Sequence, residues 1–245
     1  MVLSLIALAV APGCAIVFYI YWKDRYDREP VKNLITCFVL GMVGILPAIF
    51  IQTNLQPPLQ ENFPNYTIAY YSIFALMVAF SEELCKFAAL RLYAYPHKSF
   101  DEPFDGITYS VMVGMGFATL ENIEYVFKYG FATGVVRMFL SVPAHATYAV
   151  LMGYYTGLAK FDRKHSVRNL ARGLLLATFF HGAFDFFLFL QDSPQVTKYV
   201  SNSLLIGGAL ASYAIAISMS MRSIRLHHKI SKQSYLAKNT LARKI

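Results

Sequence analysis

The sequence is short of charge. Of its 245 residues only 15% are Asp, Glu, Lys or Arg, while 56% are hydrophobic and the mean hydropathy is +0.44. Soluble domains carry about 25% charged residues. A soluble fold of this size has no core large enough to hide so much apolar surface. This excludes disorder, collagen, a coiled coil and most soluble enzymes, and makes a bilayer the fitting solvent. Cysteine is scarce too. Cys14, Cys37 and Cys85 each lie in an apolar run and none forms a CxxC pair, so neither a disulfide framework nor a thiolate zinc site is supported. There is no HExxH and no internal repeat. Residues 1–22 carry no charge, so the basic start of a secretory signal is missing. The tripeptide before Cys14, Ala11-Pro12-Gly13, lacks a lipobox leucine. The segment is expected to stay as a membrane span.

What the sequence does have is long apolar runs. A bilayer core takes about 20 apolar residues per helix. Seven segments qualify: 2–22, 33–53, 69–92, 106–127, 138–159, 171–190 and 199–221. The expected fold class is therefore all-α, a multi-pass transmembrane helix bundle of about seven spans. We read 1–245 as a single membrane domain with a core at 66–190 and a basic tail at 222–245.

The net charge of +8 suggests nucleic acid in a soluble protein, but a membrane protein keeps Lys and Arg on the cytoplasmic side. Placing the N-terminus outside puts 18 of the 22 basic residues inside. Only Lys128, Arg137 and Lys198 then lie outside, and Lys86 falls within a span. That bias predicts N-out, C-in. The polar, Pro-rich segment 54–66 reads as an outer loop, with Tyr66, Tyr70 and Tyr71 as interfacial anchors. The basic tail reads as an ordinary positive-inside feature facing the lipid surface.

Ionisable groups inside a span cost about 2.5–3.5 kcal/mol each on insertion scales. Here they are confined to four consecutive spans. The third holds Glu82, Glu83 and Lys86. The fourth holds Glu121, Asn122 and Glu124. The fifth holds His145, just after Pro143, and the sixth His181 and Asp185. Glu82 and Lys86 are i and i+4, so they share a helix face and can pair. Glu83 sits about 100° round the helix and can point elsewhere. His181 and Asp185 are also i and i+4, which lets the carboxylate orient the imidazole. Glu124 reads as a solvated or loop-paired residue near the outer interface. Taken singly, several of these groups suit a structural ion pair or a helix–helix hydrogen bond. Together, in neighbouring helices, they point to one interior site.

Two chemistries need such a set. Peptide hydrolysis needs an activated water, a proton shuttle and an oxyanion stabiliser. A buried carboxylate can serve as base or acid. Two neutral histidines and a carboxylate can instead hold Zn²⁺ with an open position. The alternative is a proton-coupled membrane transporter, because intramembrane Glu and His chains also relay protons. Such transporters often show internal repeats, which this sequence lacks.

Glu82-Glu83-x-x-Lys86, Phe117-x-x-x-Glu121-Asn122, His145 and His181-x-x-x-Asp185 resemble the motifs of the PrsW family of intramembrane proteases, relatives of the CAAX-processing (Rce1-type) membrane proteases. The resemblance covers roughly residues 70–190. It implies a multi-pass protease of the bacterial inner (plasma) membrane, acting on a membrane-anchored protein, with site-1 cleavage of an anti-sigma factor as the family's best-described role. It implies a catalytic set of Glu82, Glu83, Lys86, Glu121, Asn122, His145, His181 and Asp185. Glu82 and Glu83 correspond to the essential acidic pair, and one of them activates water. The family is usually labelled metalloprotease, which implies Zn²⁺ on Glu121, His145 and His181. The CAAX-type relatives imply a glutamate mechanism with His and Asn at the oxyanion. Glu121-Asn122 stands where those relatives have a histidine, and Asp185 where they often have Asn. Both mechanisms therefore stay open, and prenyl-protein substrates are disfavoured.

Overall fold

The computed structural model describes residues 2–63 and 67–242. All regular structure among them is helical. The elements are α1 (Val2–Lys23), α2 (Val31–Val43), α3 (Ile45–Asn62), α4 (Ile68–Ala89), α5 (Pro103–Tyr129), α6 (Phe131–Phe139), α7 (Ser141–Phe161), α8 (Ser166–Phe189), α9 (Pro194–Thr197) and α10 (Asn202–Ala242). Five stretches among the described residues are long and apolar enough to cross a membrane: Val2–Lys23, Val31–Asn62, Phe131–Phe161, Arg163–Asp192 and Asn202–Ala237. The expected spans 69–92 and 106–127 are helical as well, as α4 and α5, though neither is among those five.

α5 is the central post. Residues Phe104 to Thr119 are buried without interruption, which a helix achieves only when neighbours cover every side. α1, α2 and α7 all pack against it. Two of these contacts are backbone to backbone. A Cβ added at Gly116 would lie 1.9 Å from the Phe38 carbonyl oxygen of α2, and one at Gly106 would lie 2.4 Å from the Gly153 carbonyl oxygen of α7. Small residues let membrane helices approach this closely, and close packing replaces the missing hydrophobic drive between helices. α7 and α8 pair next, α8 covers α4, and α10 lies across α5, α7 and α8.

Several boundaries differ from expectation. The second span is two helices, because the chain breaks at Gly44 between α2 and α3. The expected outer loop 54–66 is helical as far as Asn62 and runs through Pro57 and Pro58. Each proline removes one backbone donor. The carbonyls this leaves, on Thr53 and Asn54, belong to exposed residues. Tyr70 and Tyr71, expected as interfacial anchors, are buried against Leu190, Val196 and Leu205. Tyr66 lies outside the described residues. α6 and α7 meet at Leu140, so Pro143 sits in the first turn of α7, where no donor is lost. The region expected as a basic tail continues α10, and Ser223, His227 and Ser231 are buried against the bundle.

Candidate active site

Four helices bring the expected polar residues to one place. On α4, Lys86 follows Glu82 by four residues and Glu83 by three, so both glutamates flank it on the helix surface. The Lys86 ammonium donates to Glu83 Oε1 at 2.8 Å and to Glu82 Oε2 at 3.4 Å. The expected Glu82–Lys86 pair is thus present, but the closer partner is Glu83. Lys86 also lies 3.0 Å from His145 Nδ1 on α7 and 4.2 Å above the Phe117 ring of α5. With Lys86 as an ammonium, Nδ1 of His145 accepts, and its Nε2–H donates to Glu121 Oε2 at 2.9 Å.

His181 on α8 is held from two sides. Its Nδ1 lies 2.9 Å from Glu83 Oε1, and its Nε2 lies 3.3 Å from Asp185 Oδ2 and 3.9 Å from Glu82 Oε2. The i, i+4 spacing thus brings the Asp185 carboxylate beside the His181 ring. The two imidazoles meet edge to face, with centroids 5.1 Å apart. Tyr148, one turn along α7 from His145, stacks on His181 at 5.1 Å.

Glu121 and Asn122 are organised by a residue the sequence reading left in the outer loop. Arg137 of α6 turns inward, donating from Nη2 to Glu121 Oε2 at 2.7 Å and from Nε to Asn122 Oδ1 at 2.9 Å. Its guanidinium also rests 4.0 Å above the Tyr125 ring. Asn122 donates in turn to the Ala9 carbonyl of α1 at 2.9 Å. Both ends of its amide are engaged, and it does not line the cavity. No local spacing announces Arg137, because it lies 16 residues beyond Glu121 on a different helix.

The site opens into a cavity of about 400 Å³. Glu82, Glu121, His145, His181 and Asp185 line it, together with Gln52 and Tyr148. Glu83 and Lys86 lie behind this wall. Gln52 reaches over from α3, donating to Ser81 Oγ at 3.1 Å. The Tyr148 hydroxyl is buried and has no hydrogen-bond partner among the described residues. Neither Gln52 nor Tyr148 carried a sequence signal, since each is ordinary in an apolar helix. Glu124, expected near the outer interface, is exposed at the cavity's rim.

Three ligand atoms converge as a metal requires. One each from Glu82, His145 and His181 lie within 4.8 Å of one another, and all three residues are buried. Two imidazoles and a carboxylate are a catalytic zinc donor set, so the residues fit the metal. Glu121, expected as the carboxylate ligand, is instead held by Arg137 and His145. The Lys86 ammonium already bonds to Glu82 and His145 and competes for the same oxygen and nitrogen.

An acid–imidazole centre walled into a bundle of apolar helices defines a membrane-embedded enzyme. The sequence comparisons agree. Residues 29–221 match the model of the PrsW family intramembrane metalloproteases. The chain is 40% identical over 186 residues to Protease PrsW of Bacillus subtilis, covering 76% of this chain and 83% of that one. It is 38% identical over 195 residues to Protease PrsW of Geobacillus kaustophilus (77% and 81%), and 34% identical over 197 residues to that of Clostridioides difficile (78% and 82%). No solved structure gives a significant match. The chain belongs to the PrsW family of membrane proteases, multi-pass proteins of bacterial membranes.

Proposed function

We propose that this protein cuts a peptide bond in a membrane-anchored protein, with Glu82 as the group that activates water. The observation that carries this is the difference between the two adjacent glutamates. Glu83 is turned away from the cavity and holds Lys86 and His181. Glu82 faces the cavity, with only long contacts to Lys86 (3.4 Å), Gln52 (3.5 Å) and His181 (3.9 Å). A carboxylate with unengaged lone pairs beside an open space is what a general base needs.

In this reading the peptide carbonyl enters beside Glu82. Glu82 takes a proton as the water oxygen bonds to the carbonyl carbon. The Tyr148 hydroxyl donates to the oxyanion that develops. His181, whose Nε2 lies between Glu82 and Asp185, passes the proton to the leaving amine as the C–N bond breaks. Glu83 and Lys86 fix His181 and His145 and are positioning residues. The alternative is a metal form, in which Glu82, His145 and His181 would be ligands rather than base and proton donor, with Glu82 in place of Glu121. A bound Zn²⁺ would then supply the Lewis acid for water.

The cavity is lined from the parts of α5, α7 and α8 nearest the turns at 130–140 and 190–201. With the N-terminus outside, these turns face out. That supports an extracytoplasmic cut, as in site-1 cleavage of an anti-sigma factor in the bacterial plasma membrane. Co-reconstitution with single-pass substrates, followed by mass spectrometry of the fragments, tests this. The expected scissile bond lies at the outer membrane boundary of the substrate. A cut on the cytoplasmic side contradicts the reading. Metal content of the active protein, with a chelator titration of cleavage, separates the zinc and glutamate forms.

A further inference from the structure

A second group of acids lies far from the cavity. Asp24 follows the end of α1, and Glu102 and Asp105 open α5. One carboxylate oxygen from each lies within 4.8 Å of the other two, and all three residues are buried. Asp105 and Glu121 are 16 residues apart on one helix, which sets the groups about 24 Å apart along its axis.

Helix capping explains part of the group. Glu102 and Asp105 form a capping box, and Asp105 Oδ2 accepts from the backbone N–H groups of Asp101 and Glu102 at 2.8 Å each. Capping does not explain Asp24. It is 1% exposed, and neither of its carboxylate oxygens has a hydrogen-bond partner among the described residues. Asp105 Oδ1 is buried and unpartnered as well. Thr108, one turn after Asp105 on the same face, is completely buried and its hydroxyl also lacks a partner. The Thr108 hydroxyl and the Glu29 backbone N–H both approach the Asp24 carboxyl, but neither reaches hydrogen-bond geometry. No Lys or Arg among the described residues pairs with Asp24 or Asp105. Lys160, which feels Asp105 at longer range, donates instead to the Tyr95 carbonyl. Burial, then the charges of Glu102 and Glu29, push the Asp24 carboxyl up to about 8. Asp24 and Asp105 thus stand together, both buried, with no Lys or Arg of the described residues paired to either.

We propose that Asp24, Glu102, Asp105 and Thr108 form a binding site for a divalent hard cation, Mg²⁺ or Ca²⁺, that ties the end of α1 to the start of α5. Oxygen-only donors are what these ions select. Ca²⁺ takes its oxygens at about 2.3–2.6 Å, so opposite ligands stand about 4.8 Å apart, the limit within which these oxygens already lie. Mg²⁺ requires a contraction of the site to about 2.0–2.1 Å.

The test uses the full-length protein in detergent, stripped with a chelator. Its melting temperature is followed while MgCl₂ or CaCl₂ is added, in wild type, Asp24→Asn and Asp105→Asn. A ligand bound only by the folded state raises the melting point with its concentration. Wild type is expected to show a saturable rise with one of the two ions. Asp24→Asn is expected to need at least about tenfold more cation. Because asparagine keeps the carboxyl's shape and adds no charge to the cluster, this variant should melt no lower than wild type in chelator. Equilibrium dialysis of wild type with ⁴⁵Ca²⁺, and by elemental analysis with Mg²⁺, reads the site without any variant. The absence of a bound ion and of a thermal shift overturns the proposal. So does a shift that both variants keep, or one that only His145→Ala or His181→Ala removes.

Discussion

Glu121 and Arg137 hold charge in an apolar interior because each is paired. Glu121 Oε2 receives both the Arg137 guanidinium and the His145 imidazole. Removing one partner of a buried pair costs about 3–5 kcal/mol, mostly for the charge left behind. Arg137→Gln should therefore destabilise the protein strongly, and Glu121→Gln combined with Arg137→Gln should recover much of the loss. Denaturant unfolding in micelles measures both. A single variant as stable as wild type contradicts the pairing. Tyr148 makes a different kind of prediction, because its hydroxyl has no partner in the resting site. Tyr148→Phe removes one oxygen and keeps the stack on His181. If the hydroxyl serves the oxyanion, kcat should fall about 10²–10³-fold with KM little changed. An unchanged kcat ends that role for Tyr148.

At the scale of elements, the helical periodicity made most of the site readable. The i, i+4 spacing of His181 and Asp185 and of Glu82 and Lys86 placed the right atoms together. It misjudged Glu83, because residues three apart are also neighbours on a helix, and in this fold the i, i+3 contact is the shorter. Arg137 was illegible for another reason. Its partners lie on α5, and only the turn at Gly130, with φ of +87°, folds α6 back onto them. Over 54–62 the expected loop is helix instead: two prolines in a polar stretch usually mark a turn, yet here the carbonyls they free belong to exposed residues. Close packing at this scale is testable. Gly116→Ala puts a methyl group 1.9 Å from the Phe38 carbonyl oxygen, whereas an added Cβ at Gly207 meets nothing within 4 Å. Overpacking costs about 1–3 kcal/mol, so Gly116→Ala should lower the melting temperature. Gly207→Ala should not, since alanine is the better helix former. Equal melting points would contradict the α2–α5 contact.

For the whole molecule, the account depends on one orientation and one centre. The 18-to-3 distribution of basic residues predicts the N-terminus outside and the α10 end inside. In a cysteine-free background, Ala132→Cys should react with an impermeant maleimide in intact spheroplasts. Thr240→Cys should react only in inverted vesicles. The reverse pattern turns the cavity toward the cytoplasm and removes the case for an extracytoplasmic cut. The centre itself is tested most directly by purified, reconstituted protein with a membrane-anchored substrate, comparing wild type with Glu82→Gln at matched folding. Loss of a general base lowers the rate by about 10²–10⁴-fold, and we expect a loss in that range with the melting curve unchanged. Cleavage by Glu82→Gln at the wild-type rate would show that the carboxylate facing the cavity is not the group that activates water.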